Sequence, residues 1–525
     1  MIHVSPADVV STQKNPLEFS LDQPEIQKLH AMNEFITDLA GISSLVGWDQ
    51  QTQMPKGAIA VRSAQSAAID IVIHEKIIEP EFGAAIQAAE NVINADPLRF
   101  SAADIALVRV LRRHFDEESK LPSSFVRDFA EATSEGMAAW IEARAQKNFA
   151  LFAPYLAKIV DLNRKRAHYL HPDMKPYASL FSVYEPGVPF ADAMAALEKV
   201  RAATVPLLKR IQAAPQLDNT CVVGNFNTDK ELELCKVMLH VMGYQFTYGR
   251  IDLAAHPFMT SIGSPYDARV TTRLDSKFMA RSLLAAMHEG GHALYEQGVS
   301  PTLVRSGLAH GTSLGIHESQ SRYWENVVGR SEAFWNAHFE KARGIFTEEF
   351  AHVTPREFAI AINRVEPSLI RVEADELTYN LHIIIRSEIE TDLVEGAIEV
   401  NDAPSVWNQK YHDYLGIDPE DDSVGVLQDI HWSMGSIGYF PTYSLGNMFA
   451  AQFGSALKKA HPDLEQRLAA GETSFIREWQ RENIHRWGRI FDANELSARV
   501  TGEPLNPDYL INYLTEKFTN LYHLD

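Results

Sequence analysis

Hydrophobic positions recur at helical spacing along most of the chain. Residues 24–45 carry Ile26, Leu29, Met32, Ile36, Leu39 and Ile42 three and four apart, the pattern of an amphipathic helix. The same period predicts helices near 59–90, 102–115, 124–170, 190–213, 229–242, 277–297, 314–350, 356–396, 443–459 and 475–490. Pro and Gly punctuate them at HPDMKPY (171–177) and YEPGVP (184–189), which read as loops or turns. Residues 243–274 differ. They are rich in Tyr, Thr, Ile and Gly, and Ala268, Val270 and Thr272 alternate with Arg269, Thr271 and Arg273. A period of two predicts two or three short strands, directly ahead of a helix starting near Lys277. The expected architecture is mainly α, one large two-lobed unit around a cleft with a small sheet.

Composition narrows the class. The 525 residues give a soft prior of about three domains, which the absence of clear linkers argues against. Apolar residues at 46% and charged residues at 22% exclude wholesale disorder. Acids outnumber Lys and Arg by 69 to 48, a formal charge of −21, which argues against nucleic acid as a partner. Cys221 and Cys235 are the only cysteines, so no disulfide framework is expected and a reducing compartment is the simplest reading. No apolar run reaches 18 residues, and the N-terminus lacks a basic segment followed by an apolar one. The expectation is a cytoplasmic, membrane-free enzyme.

The chemistry gathers in one helix. ARSLLAAMHEGGHALYEQG contains His288-Glu289-Gly290-Gly291-His292, the HExxH pattern. Four residues turn a helix by 400°, so the two imidazoles sit about 40° apart and can share one ion. Glu289, offset on the same turn, can take a proton without being a ligand. The alternative is a pair of satisfied core histidines. Against it, Gly290 and Gly291 each cost a helix interior roughly 1 kcal/mol, which suggests a close neighbour there. A third ligand is required. The position six after His292 is Gly298, which excludes the metzincin pattern. Glu318 in HESQSR (317–322) is a candidate ligand, with Arg322 one turn on to brace it; the alternative is a solvated helix charge.

HExxH followed by HESQSR at this distance resembles the carboxypeptidase Taq family of zinc metallocarboxypeptidases. Further stretches agree in order: WDQQTQMPKGA (48–58), HPF (256–258), DARVT (267–271), IRVEADELTYNLHI (370–383), GVLQDIHW (425–432) and GYFPTYSLGNMFAAQ (438–452). The resemblance runs from about residue 25 to the C-terminus, leaving 1–25 as an extension and 26–525 as a single catalytic domain. Relatives can carry a bulkier residue where this chain has Gly290.

The resemblance implies an α-rich fold with a deep groove lined by the small sheet, and a homodimer. It implies removal of C-terminal residues with broad specificity, terminal proline being disfavoured. His288, His292 and Glu318 would hold Zn²⁺, with Co²⁺ or Mn²⁺ as substitutes by ligand type. Glu289 would be the general base, and His431, Tyr443 and Tyr439 candidate donors to the oxyanion. A carboxypeptidase must read a free α-carboxylate, for which Arg371 is the first choice and Arg269 the second. An ion pair of Arg371 with Glu373 or Asp375 is its structural alternative. His256 and Asp267 would shape the substrate floor, Gln428 and Asp429 would orient His431, and the surroundings of Arg269 and Arg371 should be locally positive. The strands near 250–273 could take an extended peptide at an edge.

Three competitors remain. A zinc oligoendopeptidase or peptidyl-dipeptidase would use the same ligands without an anchor for the substrate's terminal carboxylate. A di-iron bundle would use the pairs Glu289/His292, Glu349/His352 and Glu482/His485. A non-catalytic peptide binder is opposed by the intact Glu289.

Overall fold

The computed structural model describes residues 2–10 and 15–524. Twenty-one α-helices dominate the described residues, and a single three-stranded sheet accompanies them. The mainly α expectation and the small sheet are both observed.

The chain divides into two compact units, each assembled from three segments. The first comprises residues 1–119, 219–362 and 453–504; the second comprises 120–218, 363–452 and 505–525.

The first unit contains the sheet. Strands β1 (Ile251–Leu253), β2 (Met259–Ser261) and β3 (Ala268–Thr272) stand in the order β1-β3-β2. β1 runs parallel to β3 and β2 antiparallel to it. β3 is the central strand, and the HExxH helix, Met279–Gly298, packs on it; the Thr272 hydroxyl donates to the Ser282 carbonyl at 3.0 Å. The described residues before 25 also belong here. A short helix, Pro6–Val10, buries Val9 and Val10, and Ser20 donates twice to Asp104 through its backbone and hydroxyl at 3.0 and 2.6 Å. Helix Pro6–Val10 and Ser20 therefore pack onto the helix Ala102–Ser119.

The second unit is helical. Helix Tyr379–Glu395 runs through its core: Leu381, Ile383, Ile384, Ile385 and Ile389 are all buried.

The helical periodicity locates elements better than their ends. The stretch near 59–90 breaks at Pro80, giving Ile59–Ile77 and Pro80–Ala95, because proline starts a helix more readily than it continues one. The stretch 356–396 is not one helix. It is Pro355–Ala361, an irregular segment containing Pro367 and a single 3-10 turn at Arg371–Glu373, then Tyr379–Glu395. Arg371 thus lies off any regular helix. Helices Pro176–Tyr184, Ala403–Leu415, Ala493–Thr501 and Asp508–Tyr522 were not anticipated from the pattern.

Candidate active site

In the first unit, the HExxH helix and the short helix Leu314–Arg322 meet closely enough to place three ligand atoms together. The candidate donors of His288, His292 and Glu318 all lie within 4.8 Å of one another. Glu318 Oε2 is 3.5 Å from His288 Nε2 and 3.3 Å from His292 Nε2. Two imidazoles and one carboxylate with a position left open suit a catalytic divalent ion.

Gly291 makes the approach possible. A Cβ there would lie 2.5 Å from the Gln320 carbonyl oxygen and 2.6 Å from Ser321 Cα. Gly290 faces side chains instead, with Leu239 Cδ2 at 2.5 Å and Met242 Cε at 3.0 Å from its notional Cβ. The two glycines thus have different jobs, and the close neighbour expected from sequence is the HESQSR helix itself.

Each ligand is held from behind. Arg322 Nε donates to Glu318 Oε1 at 2.7 Å, the brace expected from its spacing. His288 Nδ1 is 2.8 Å from Glu325 Oε2, and Arg322 and Arg330 flank that carboxylate. Glu325 lies on a π-helical turn, Tyr323–Val328, a local departure of the kind often found at functional sites. His292 Nδ1 is 2.6 Å from His317 Nδ1, whose Nε2 is 3.0 Å from Glu296 Oε1. Glu325, His317 and Glu296 were not picked out from the sequence. Two of them had a signal: Glu296 is four residues after His292, and Glu325 is three after Arg322, within reach of a helical neighbour.

The electrostatics follow burial and pairing. Burial, with Glu318 and Glu325 adding to it and His288 opposing, pushes the Glu289 carboxyl up to about 7. Burial pushes His292 down to about 3, keeping it neutral as a ligand must be. Burial would raise Glu318, but Arg322 and the two histidines outweigh it and hold the carboxyl well below the usual range. Glu289 makes no hydrogen bond or ion pair with another described residue, so its carboxylate remains available. Of the competing Glu-x-x-His pairs, neither Glu349/His352 nor Glu482/His485 joins a group of three donors among the described residues.

Also in this unit, Arg269 Nε and Nη2 donate to Asp267 at 2.7 and 2.8 Å, and its guanidinium lies 5.6 Å from the centre of the Trp48 ring. His256 is exposed in the turn between β1 and β2.

The second unit gathers the other candidates. Arg371 Nε and Nη2 each donate to Asp429 at 3.0 Å, and Nη1 donates to the Tyr379 hydroxyl at 3.3 Å. Its carboxylate partner is therefore neither Glu373 nor Asp375. Arg386, 1% exposed, approaches Asp429 from the other side at 3.1 Å and lies over the rings of Trp432 and Phe440. Gln428 accepts from the Arg371 backbone at 2.8 Å and donates to the Leu369 carbonyl at 2.9 Å. Gln428 and Asp429 thus fix Arg371, and Asp429 also lies within electrostatic reach of His431. The His431 ring stacks on Tyr439 at 5.7 Å and meets Tyr443 edge-on at 6.5 Å. Arg371 lies 5.1 Å from the Tyr443 ring, so all four candidates of this unit form one cluster. Glu390, missed in the sequence, anchors their segment by accepting from Trp432 Nε1 at 2.8 Å and the Gly438 amide at 3.1 Å. The expected positive surroundings need qualifying, since Arg269 and Arg371 each carry a bidentate carboxylate.

A helical protein with an HExxH helix, a downstream glutamate at the same point and an unpaired glutamate between the histidines belongs to the helical metallopeptidases. The chain is a member of the carboxypeptidase Taq (M32) metallopeptidase family, whose sequence profile matches residues 28–518. It is 39% identical over 488 residues to Carboxypeptidase 1 of Bacillus subtilis (strain 168), covering 92% of this chain and 95% of that one. The M32 carboxypeptidase from Deinococcus radiodurans R1 has the same fold, with a TM-score of 0.92 at 36% identity over 96% of this chain and 100% of that one. The Pyrococcus furiosus carboxypeptidase gives a TM-score of 0.91 at 35% identity over 94% and 99%. The chain is a metallocarboxypeptidase. No helix among the described residues is long and apolar enough to cross a membrane.

Proposed function

We propose that this enzyme is a zinc carboxypeptidase that removes single residues from the free C-termini of peptides, with broad specificity and terminal proline disfavoured. The reading is supported above all by the convergence of His288, His292 and Glu318 beside an unpaired Glu289. A divalent ion held by those three would polarise the scissile carbonyl and lower the pKa of a water; zinc suits the donor set, with cobalt or manganese as substitutes.

The chain's own residues have separable tasks. Glu289 accepts the proton of the attacking water and passes it to the leaving amine, and a value near 7 suits both directions. Tyr443 and His431 donate to the oxyanion of the tetrahedral intermediate, with Tyr439 stacked on His431 as the alternative donor.

Arg371 binds the substrate's α-carboxylate. A guanidinium has five N–H donors, and the three bonds to Asp429 and Tyr379 leave one on each Nη. Each Nη thus keeps one N–H to offer a carboxylate. Arg269 has the same free end and is the second choice; His256 and Asp267 shape the substrate floor beside it. The proposal includes a cytoplasmic homodimer.

Matched peptides with free and amidated C-termini test the reading, with and without chelator. Cleavage of only the free peptide, abolished by chelator and restored by zinc, is expected. Cleavage of the amidated peptide at a comparable rate would instead indicate the endopeptidase alternative.

A further inference from the structure

The two histidine ligands are backed differently. His288 Nδ1 meets a carboxylate, Glu325, directly at 2.8 Å. His292 Nδ1 meets another imidazole nitrogen, His317 Nδ1, at 2.6 Å. Only beyond that ring does a carboxylate follow: His317 Nε2 is 3.0 Å from Glu296 Oε1.

Two facing imidazole nitrogens can bond only if one carries a proton and the other does not. When His292 offers the Nε2 lone pair to a cation, its proton sits on Nδ1. His317 must then accept at Nδ1, so its own proton sits on Nε2, facing Glu296. An ionised carboxylate only accepts, so it selects that tautomer. Glu296 is 2% exposed and is fixed from its other sides. The Gly311 amide donates to its Oε1 at 2.9 Å, and His310 Nδ1 lies 3.2 Å from its Oε2. Gly311 permits this: a Cβ there would fall 2.5 Å from His317 Cδ2 and 2.8 Å from Tyr295 Cε1.

We infer that Glu296, acting through His317, is a positioning residue that locks His292 in its metal-binding tautomer and so sets metal affinity. The inference rests on the proposed ligand set of His288, His292 and Glu318, and makes one of its members conditional on a residue that touches neither metal nor substrate. His288 carries no such condition.

Zinc affinity, measured by competition with a chelator, and melting of the metal-free protein test it together. In Glu296→Leu nothing accepts from the His317 Nε2–H, so the His317 proton is no longer held away from Nδ1, where it opposes that of His292. Zinc binding should weaken about 10- to 100-fold, the range for such supporting residues. In His317→Asn a carbonyl oxygen replaces the accepting Nδ1 and has no tautomer to choose. That variant should keep most of the affinity, and adding Glu296→Leu to it should change affinity about twofold or less, whatever it does to metal-free melting. His317→Leu, which leaves Glu296 in place, should show a loss of the same order and covers the case in which Glu296→Leu does not fold. Wild-type affinity in Glu296→Leu or His317→Leu, or a full Glu296→Leu loss in the His317→Asn background, would overturn the inference. His292→Ala and Glu318→Ala should both lose zinc; retention in either would overturn the ligand set itself, a separate failure.

Discussion

Arg322 and Arg371 are the central cations of the two units, and each is paired with buried carboxylates, but the pairs are used differently. Arg322 donates to Glu318 and Glu325, four residues before it and three after. Both carboxylates face the histidines, so the arginine serves as a brace. Arg371 leans on Asp429, 58 residues away in sequence, through its Nε side, and keeps one N–H on each Nη. Asp429 itself is shared with Arg386. In the first case the carboxylates hold something else; in the second the carboxylate holds the arginine. The same ion pair therefore makes a ligand support in one unit and a presented cation in the other.

The largest expected effect tests whether chemistry and recognition divide in this way. Glu289→Gln should lower kcat about 10²- to 10⁴-fold, the usual contribution of a general base, with zinc content unchanged. Arg371→Met should act mainly on KM for peptides with a free C-terminus. Steady-state kinetics with metal analysis decide. Normal turnover in Glu289→Gln removes it as the base, and an Arg371→Met enzyme with unchanged KM removes the presented cation.

Next in size is the partner that holds Arg371. Asp429→Asn leaves two buried arginines facing one neutral amide. Removing one member of a buried ion pair typically costs about 3–5 kcal/mol, so a loss of that order is expected in denaturant unfolding. Paired changes at Arg371 and Asp429 should cost less than the sum of the single changes. Additive costs would mean that the bidentate contact is not what holds the two together.

The contrast between the units also explains what could be read from the sequence. His288, Glu289 and His292 lie within one helical turn and a half, where spacing fixes geometry. Arg322 follows from Glu318 by the same rule. The Arg371–Asp429 pair is a tertiary contact between two irregular segments, and no spacing rule reaches it. The helical period even carried 356–396 through Arg371 as one helix, because Phe358, Ile362, Leu369 and Leu377 continue the apolar pattern across Pro367. Tyr439, Tyr443 and His431 were legible only through the family resemblance. Glu296 and Glu325 were within reach of the helical rule.

A smaller effect separates two adjacent residues of the metal helix. Gly291→Ala drives a Cβ into the backbone of the HESQSR helix, which cannot rotate away. The cost should be about 1–3 kcal/mol, typical of overpacking, and zinc affinity should fall with it as Glu318 is displaced. Gly290→Ala meets only the flexible ends of Leu239 and Met242 and gains helix propensity of roughly 1 kcal/mol. Melting temperatures and zinc titrations should therefore diverge between the two variants. Equal behaviour would show that the two helices do not meet as closely as Gly291 implies.

The smallest effect compares the units through acid stability. His382 in the second unit and His485 in the first are both buried and both pushed down to about 3, chiefly by burial. His382 Nδ1 lies 2.9 Å from the Tyr411 hydroxyl, which also accepts from Gln428, the residue that fixes the Arg371 backbone. Above the ordinary histidine value near 6.5 the ring is neutral folded or unfolded and adds no pH dependence. As pH falls below that value the unfolded chain takes a proton and the folded protein does not, so stability falls until the folded ring also protonates near 3. One such group contributes at most about 1.4 kcal/mol per pH unit. His382→Asn keeps an oxygen near the Nδ1 position, where it can accept from Tyr411, and cannot take the proton. Denaturant unfolding of the metal-free proteins between pH 6.5 and 4 should therefore show a shallower loss for the variant, by up to that amount. Parallel slopes would mean that the ring reaches water in the folded protein, and the Tyr411–Gln428 support of Arg371 would then be a wet contact rather than a buried one.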